Sequence, residues 1–188
     1  MEKSQQIIEN KILDKAEVIA RTVMNQQSFY LSENCNKNHQ QLLETMVGAA
    51  IWYLPQSQEL WTGNISIKAL TKLSNSDTPY KITLTKDHHY PRKIAAAELF
   101  KLEWSTFSSP AEEVLKRYKT IYGRFNFVLP EENKYLVQYQ KGKVFLSPED
   151  SYRKAGISLI KISQEQLNRT KKGDRRIAEL ALSNHLKS

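Results

Sequence analysis

Apolar positions recur every three to four residues through the first part of the chain. Over residues 4–25, Ile8, Ile12, Ala16, Ile19 and Val23 form a stripe that Leu13 and Ala20 widen, which predicts one amphipathic helix. Residues 28–38, rich in Ser and Asn, read as a loop with Phe29-Tyr30-Leu31 packing back. From His39 to Leu54 so few positions are polar that the stretch reads as a central core helix, stopped by Pro55, with His39 a surface residue near its start. Residues 61–70 read as a turn and a short helix, and Asn75-Ser76-Asp77-Thr78-Pro79 as a loop. The period then changes to two: Tyr80-Lys81-Ile82-Thr83-Leu84-Thr85 alternates and is β-branched, the pattern of a strand.

Helical spacing returns after Pro91 in an Ala-rich run, and again after Ser109-Pro110, where Glu112 completes a capping pattern and Gly123 marks a stop. Arg124 to Leu129 predicts a strand, Pro130 a helix start, and Ser147-Pro148-Glu149-Asp150 a short helix ending at Gly156. A strand over 157–162 and a helix capped by Ser163 with Gln166 follow, and Gly173-Asp174 breaks that helix before Ile177, Leu180 and Ala181. The pattern is α+β. It divides into a helical N-terminal region (1–78), an α+β region (79–162) and a C-terminal helical segment (163–188).

Composition narrows the compartment and the partner. No apolar run approaches the ~20 residues of a membrane span, and the start, Met1-Glu2-Lys3-Ser4-Gln5-Gln6, lacks the basic-then-apolar pattern of a signal peptide. Cys35 is the single cysteine, which excludes an intramolecular disulfide and a cysteine-rich zinc site and fits the reducing cytoplasm. The net charge of +8 is unevenly spread: residues 1–80 carry 7 basic and 8 acidic side chains, residues 81–188 carry 21 and 12. Five of the basic residues, Arg169, Lys171, Lys172, Arg175 and Arg176, fall within eight positions. Such a cluster attracts backbone phosphates without reading sequence, so the expected partner is DNA, with RNA equally compatible. No membrane partner is expected, and a homodimer is compatible with the chain.

The densest chemistry is Asp87-His88-His89-Tyr90-Pro91-Arg92, an acid, two imidazoles and an arginine in six consecutive residues. The bland reading is a surface turn in which Asp87 caps the next helix. The sharper one comes from a resemblance. Asp87-His88-His89-Tyr90-Pro91 matches the Asp-His-x-x-Pro motif of the HNH, or ββα-metal, nucleases, and Arg124-Phe125-Asn126-Phe127-Val128-Leu129-Pro130-Glu131-Glu132-Asn133 resembles their last motif, a strand leading into a helix that carries an Asn.

The resemblance covers roughly residues 80–145 and implies a ββα-metal nuclease core between the helical N-terminal region and the basic C-terminal segment. It also implies a site. His88 is the base, Asp87 and Asn133 hold Mg²⁺ or Mn²⁺, and Arg92 clamps a phosphate oxygen. The residue types suit that chemistry. A neutral imidazole deprotonates water near pH 7, hard oxygen ligands suit Mg²⁺, and a guanidinium forks onto phosphate. If instead His88 were the ligand, His89 would be the base; Pro91, three residues after His88, favours the first register. Two other readings stay open: a nuclease built on Asp87 with Glu132-Asn133-Lys134, and a basic nucleic-acid-binding protein without catalysis.

Overall fold

A computed structural model describes residues 2–55 and 57–186, with side chains described except at 2–9, 143 and 186. Ile8 of the predicted stripe lies outside the described side chains. Contacts divide the chain into two units: Met1–Leu60 with Tyr90–Arg124, and Trp61–His89 with Phe125–Ser188. Each unit draws on two stretches of chain, so neither follows the sequence boundaries at 78 and 162. The described helices of the first unit are α1 (Glu2–Leu31), α2 (Lys37–Ile51), α4 (Arg92–Leu99) and α5 (Pro110–Arg117). The second unit holds all four strands, with α3 (Ile67–Asn75), α6 (Pro130–Leu136), α7 (Pro148–Lys154), α8 (Gln164–Lys171) and α9 (Arg175–Leu186). The α+β class is therefore observed. Among the described residues no helix is long and apolar enough to cross a membrane.

In the helical unit, Ala16, Ile19, Ala20 and Val23 of the α1 stripe are buried. The helix does not stop at 25. It runs through Phe29-Tyr30-Leu31 because Tyr30 has a place to go: its ring stacks on Phe100 at 4.2 Å and its hydroxyl donates to Glu44 at 2.8 Å. Asn36 caps α2, accepting from the backbone of Asn38 and His39. This helix is less central than its apolar content suggests, since Leu42 and Met46 are more than half exposed while Val47, Gly48 and Ile51 are buried.

Gly48 carries the packing. A Cβ there would stand 2.9 Å from the Arg92 carbonyl oxygen and 3.2 Å from its carbon. Gly48→Ala would gain about 1 kcal/mol of helix propensity, but overpacking two helix backbones costs about 1–3 kcal/mol. A net loss of stability is expected in urea denaturation; an unchanged or raised midpoint would show that α2 and α4 can part without cost.

The second unit is built on a four-stranded sheet in the order β2-β3-β1-β4. β1 (Trp61–Ser66) lies parallel to β3 (Phe125–Val128), while β2 (Thr85–His88) and β4 (Leu159–Lys161) run antiparallel to their neighbours. Two expectations change here. Residues 61–66 are a central strand, not a turn. Their Gly and Asn mark a bulge: Gly63 has φ +87° and the register to β3 shifts between Trp61 and Ile65. The strand expected over 80–85 begins only at Thr85, because Pro79 opens a short 3₁₀ turn over Pro79–Lys81 and pairing with β3 starts at Thr85↔Val128. The motif therefore sits on the strand, with Asp87 and His88 as its last two residues.

Helix starts were the most legible local features. Ser109, Ser147 and Ser163 each accept from the backbone N–H three residues on, and Gln166 returns a bond to the Ser163 N–H at 2.7 Å. Gly173, at φ +99°, separates α8 from α9. Beyond α5 the chain winds one wider π turn, Tyr118–Tyr122, before Gly123.

Candidate functional site

β2 and β3 pair residue for residue, Asp87 opposite Asn126 and His88 opposite Phe125, and β3 passes through Leu129 directly into α6. The order strand, antiparallel strand, helix is thus present, with the helical stretch 90–124 inserted between the two strands.

Asp87 is buried, with 4 % of its surface exposed. The Tyr152 hydroxyl, from α7, donates to Oδ2, and the Gln140 Nε2 lies 3.2 Å from both carboxylate oxygens. Asn126 stands opposite Asp87 on β3, and Thr62 donates its hydroxyl to Asn126 Oδ1. Among the described residues no ion pair reaches Asp87. Burial pushes its carboxyl above the usual range, and the bonds from Tyr152 and Gln140 only partly pull it back. Burial, with the adjacent Asp87, raises the Tyr152 hydroxyl as well. Tyr152 also belongs to an apolar cluster with Val128 and Leu136, which ties α6 and α7 to the Asp87 face of the sheet.

His88 faces the other way. Side chains alternate along a strand, and the His88 ring lies 5.7 Å from that of Phe125. Lys86 stands on that face too, 4.8 Å above the Phe125 ring, and Lys171 of α8 lies 5.6 Å from the Phe127 ring. The pairing therefore separates Asp87 from His88, the two residues that the resemblance would put on one metal-bound water. His89 follows the last strand residue, two positions after Asp87. Arg92 is exposed at the start of α4 and belongs to the helical unit. Asn133 is half-buried on α6.

Glu132 is buried and engaged: Oε2 accepts from the Ser66 hydroxyl at 2.5 Å and the Leu129 N–H at 2.9 Å. It caps α6 and ties that helix to the end of β1. That employment leaves the Asp…Glu-x-Lys alternative without a carboxylate at a strand.

The basic residues also differ among themselves. Arg169 pairs with Asp174 at 2.7 Å, Arg175 with Asp77 at 2.5 Å, and Lys171 is half-buried, its ammonium pKa lowered by burial. Lys172 and Arg176 are exposed, and none of the described ion pairs uses them. By sequence, the second unit carries 16 basic and 9 acidic residues, the helical unit 12 and 11. The net charge of the chain is thus almost all on the unit that contains Asp87.

Tyr152, Gln140 and Thr62 had no signal in the sequence. They lie far from the motif along the chain and belong to no recognisable spacing; only the fold brings them to Asp87. Comparison with protein-family models, with curated proteins and with solved structures returned no match for this chain.

Proposed function

We propose that the chain is a metal-dependent nuclease whose centre is Asp87. The observation that carries the reading is a buried carboxylate, on the first strand of a strand–strand–helix succession, bonded by the neutral donors Tyr152 and Gln140. A buried charge of this kind is costly unless a cation joins it. Asp87 would be the first ligand of a hard divalent ion and Asn133, on α6, the second. Asn126 does not take that place in this reading, because its amide oxygen already accepts from Thr62. When bound, Mg²⁺ or Mn²⁺ would supply charge stabilisation for the leaving oxygen.

The chain's own residues do the rest. Tyr152 fixes the Asp87 carboxylate. A histidine takes the proton from the attacking water; strand pairing sets His88 on the face opposite Asp87, which leaves His89, one residue past the strand, for that part. The substrate is a polynucleotide, DNA in the first instance, drawn by the positive unit. Cleavage of supercoiled plasmid with Mg²⁺ or Mn²⁺, abolished by chelator, is the expected result; no cleavage with either ion would remove the reading.

One observation favours a second reading, a nucleic-acid-binding protein without catalysis: Tyr152 and Gln140 already give Asp87 three hydrogen-bond contacts, enough for a closed structural centre. In that case binding would persist with no cation dependence.

Either reading predicts how the basic segment binds. Neutralising Lys172 and Arg176 together is expected to weaken DNA binding and to reduce the slope of log affinity against log salt by about 2, close to 0.9 per phosphate contact. Neutralising Arg169 and Arg175, which are held by Asp174 and Asp77, is expected to change the slope less. Equal slopes for the two double variants would show that the internal pairs open on binding.

A further inference from the structure

Aromatic and basic side chains come together where α6 ends. Residues 133–148 hold Lys134, Lys141 and Lys143 and no acid. Lys134 and Lys141 are exposed, and none of the described ion pairs uses either. Between them in sequence stand Tyr135, on the last turn of α6, and Tyr139, just past it. The two rings meet edge to face, with centroids 5.6 Å apart and planes at 79°, and the Tyr139 hydroxyl donates to that of Tyr135 at 3.3 Å. The Tyr139 backbone is held as well: its N–H donates to Leu136 O at 2.9 Å, and its carbonyl accepts from the Ser151 hydroxyl at 3.3 Å. Tyr135 still leaves 52 % of its surface to solvent.

An exposed ring with its orientation already set loses little rotamer freedom when a flat ligand stacks on it. Charge selects the ligand. The acid-free stretch belongs to the unit that carries almost all of the net positive charge, so its complement is a polyanion. A polyanion that also offers flat apolar faces is a single-stranded nucleic acid, whose bases stack on aromatic side chains while lysines track the backbone. We propose that Tyr135, braced by Tyr139 and flanked by Lys134 and Lys141, is a stacking platform for the bases of a single strand. This rests on the polynucleotide partner of the reading above and does not require a metal at Asp87. Tyr135 takes the base, the two lysines take phosphates, and Tyr139 is a positioning residue.

The test is fluorescence anisotropy of a labelled oligothymidylate, and of a duplex of equal length, with chelator present so that no cleavage intervenes. The proteins are the full chain as wild type, Tyr135→Ala, Tyr135→Phe, the double variant Lys134→Ala with Lys141→Ala, and Tyr80→Ala. Tyr80 is the control, 68 % exposed on the same unit with Lys81 rather than a second ring beside it. Tyr135→Ala is expected to bind the single strand roughly tenfold more weakly, within the range for one base stacked on one ring, with its salt slope and its duplex binding unchanged. Tyr135→Phe, which keeps the ring, is expected to lose far less, and Tyr80→Ala nothing. The lysine pair is expected to reduce the salt slope for the single strand by about 1.4, close to 0.7 per phosphate contact. Wild-type single-strand binding by Tyr135→Ala, or an equal loss on duplex and single strand, would overturn the platform and leave the polynucleotide reading standing. Self-association of the wild type that Tyr135→Ala abolishes, with single-strand binding untouched, would assign the surface to a second copy of the chain instead. If the wild type binds neither probe, the polynucleotide reading falls and the platform with it.

Discussion

Alanine at His89 is expected to slow the cleavage step by about 10²–10⁴, the usual loss for a general base, and alanine at His88 by far less. The motif alone points to His88, because Pro91 stands three residues after it. The strand changes that expectation. Asp87 and His88 are successive residues of a regular pair with β3, so they occupy opposite faces, and the His88 ring lies against Phe125. A base must reach water on the side of the carboxylate that holds the ion. His89 is the first residue past β2, so the strand's alternation does not hold it on the face opposite Asp87. Single-turnover cleavage by the two variants, with Mn²⁺ affinity measured in parallel, separates the cases. A dead His88→Ala beside an active His89→Ala would mean that β2 ends one residue earlier when substrate is bound, and that the motif is used in the register of the resemblance.

Asp87→Asn is expected to do two opposite things: abolish cation-dependent cleavage and make the folded chain more stable at neutral pH. Burial raises the Asp87 carboxyl in the folded state. The folded chain therefore holds that proton more tightly than the unfolded one. As pH rises above the unfolded value, about 3.9, ionised Asp87 costs stability, and the cost grows until pH passes the raised folded value, then stays constant. Asparagine removes that cost. A gain of about 1 kcal/mol at pH 7, the usual scale when a strained site is relieved, should shrink as pH falls toward 4. Urea denaturation at several pH values checks it. A loss of stability at pH 7 would mark Asp87 as a structural charge and favour the non-catalytic reading.

Local structure was legible where one residue's chemistry decides it. Ser109, Ser147 and Ser163 announce helix starts because a hydroxyl satisfies a helix N–H wherever the chain lies. Gly173 ends α8 for an equally local reason, its positive φ. Strand β1 was not legible, since Gly63 and Asn64 look like a turn until β3 and β4 flank them and the bulge absorbs the glycine. Likewise the C-terminal part of α1 looked like a loop because Tyr30 is anchored by Phe100 and Glu44, neither close in sequence.

The site divides the same way. Asp87 stood out because an acid beside two histidines is rare and costly to bury. Its partners Tyr152 and Gln140, its cross-strand neighbour Asn126, and Thr62 come from four other stretches of chain, and no spacing links them. The five basic residues were visible as a cluster, but only the fold shows that Arg169 and Arg175 are already paired, which leaves Lys172 and Arg176 facing solvent.

The central claim is that Asp87 is a metal ligand at a centre that cuts polynucleotides. The most direct measurement is plasmid cleavage by the wild type and Asp87→Ala, each with Mg²⁺ or Mn²⁺ and each again with chelator. The account predicts nicking by the wild type in metal alone and none by Asp87→Ala, with DNA binding by both nearly equal. Metal-dependent cleavage by Asp87→Ala at the wild-type rate, or none by either protein, would contradict it.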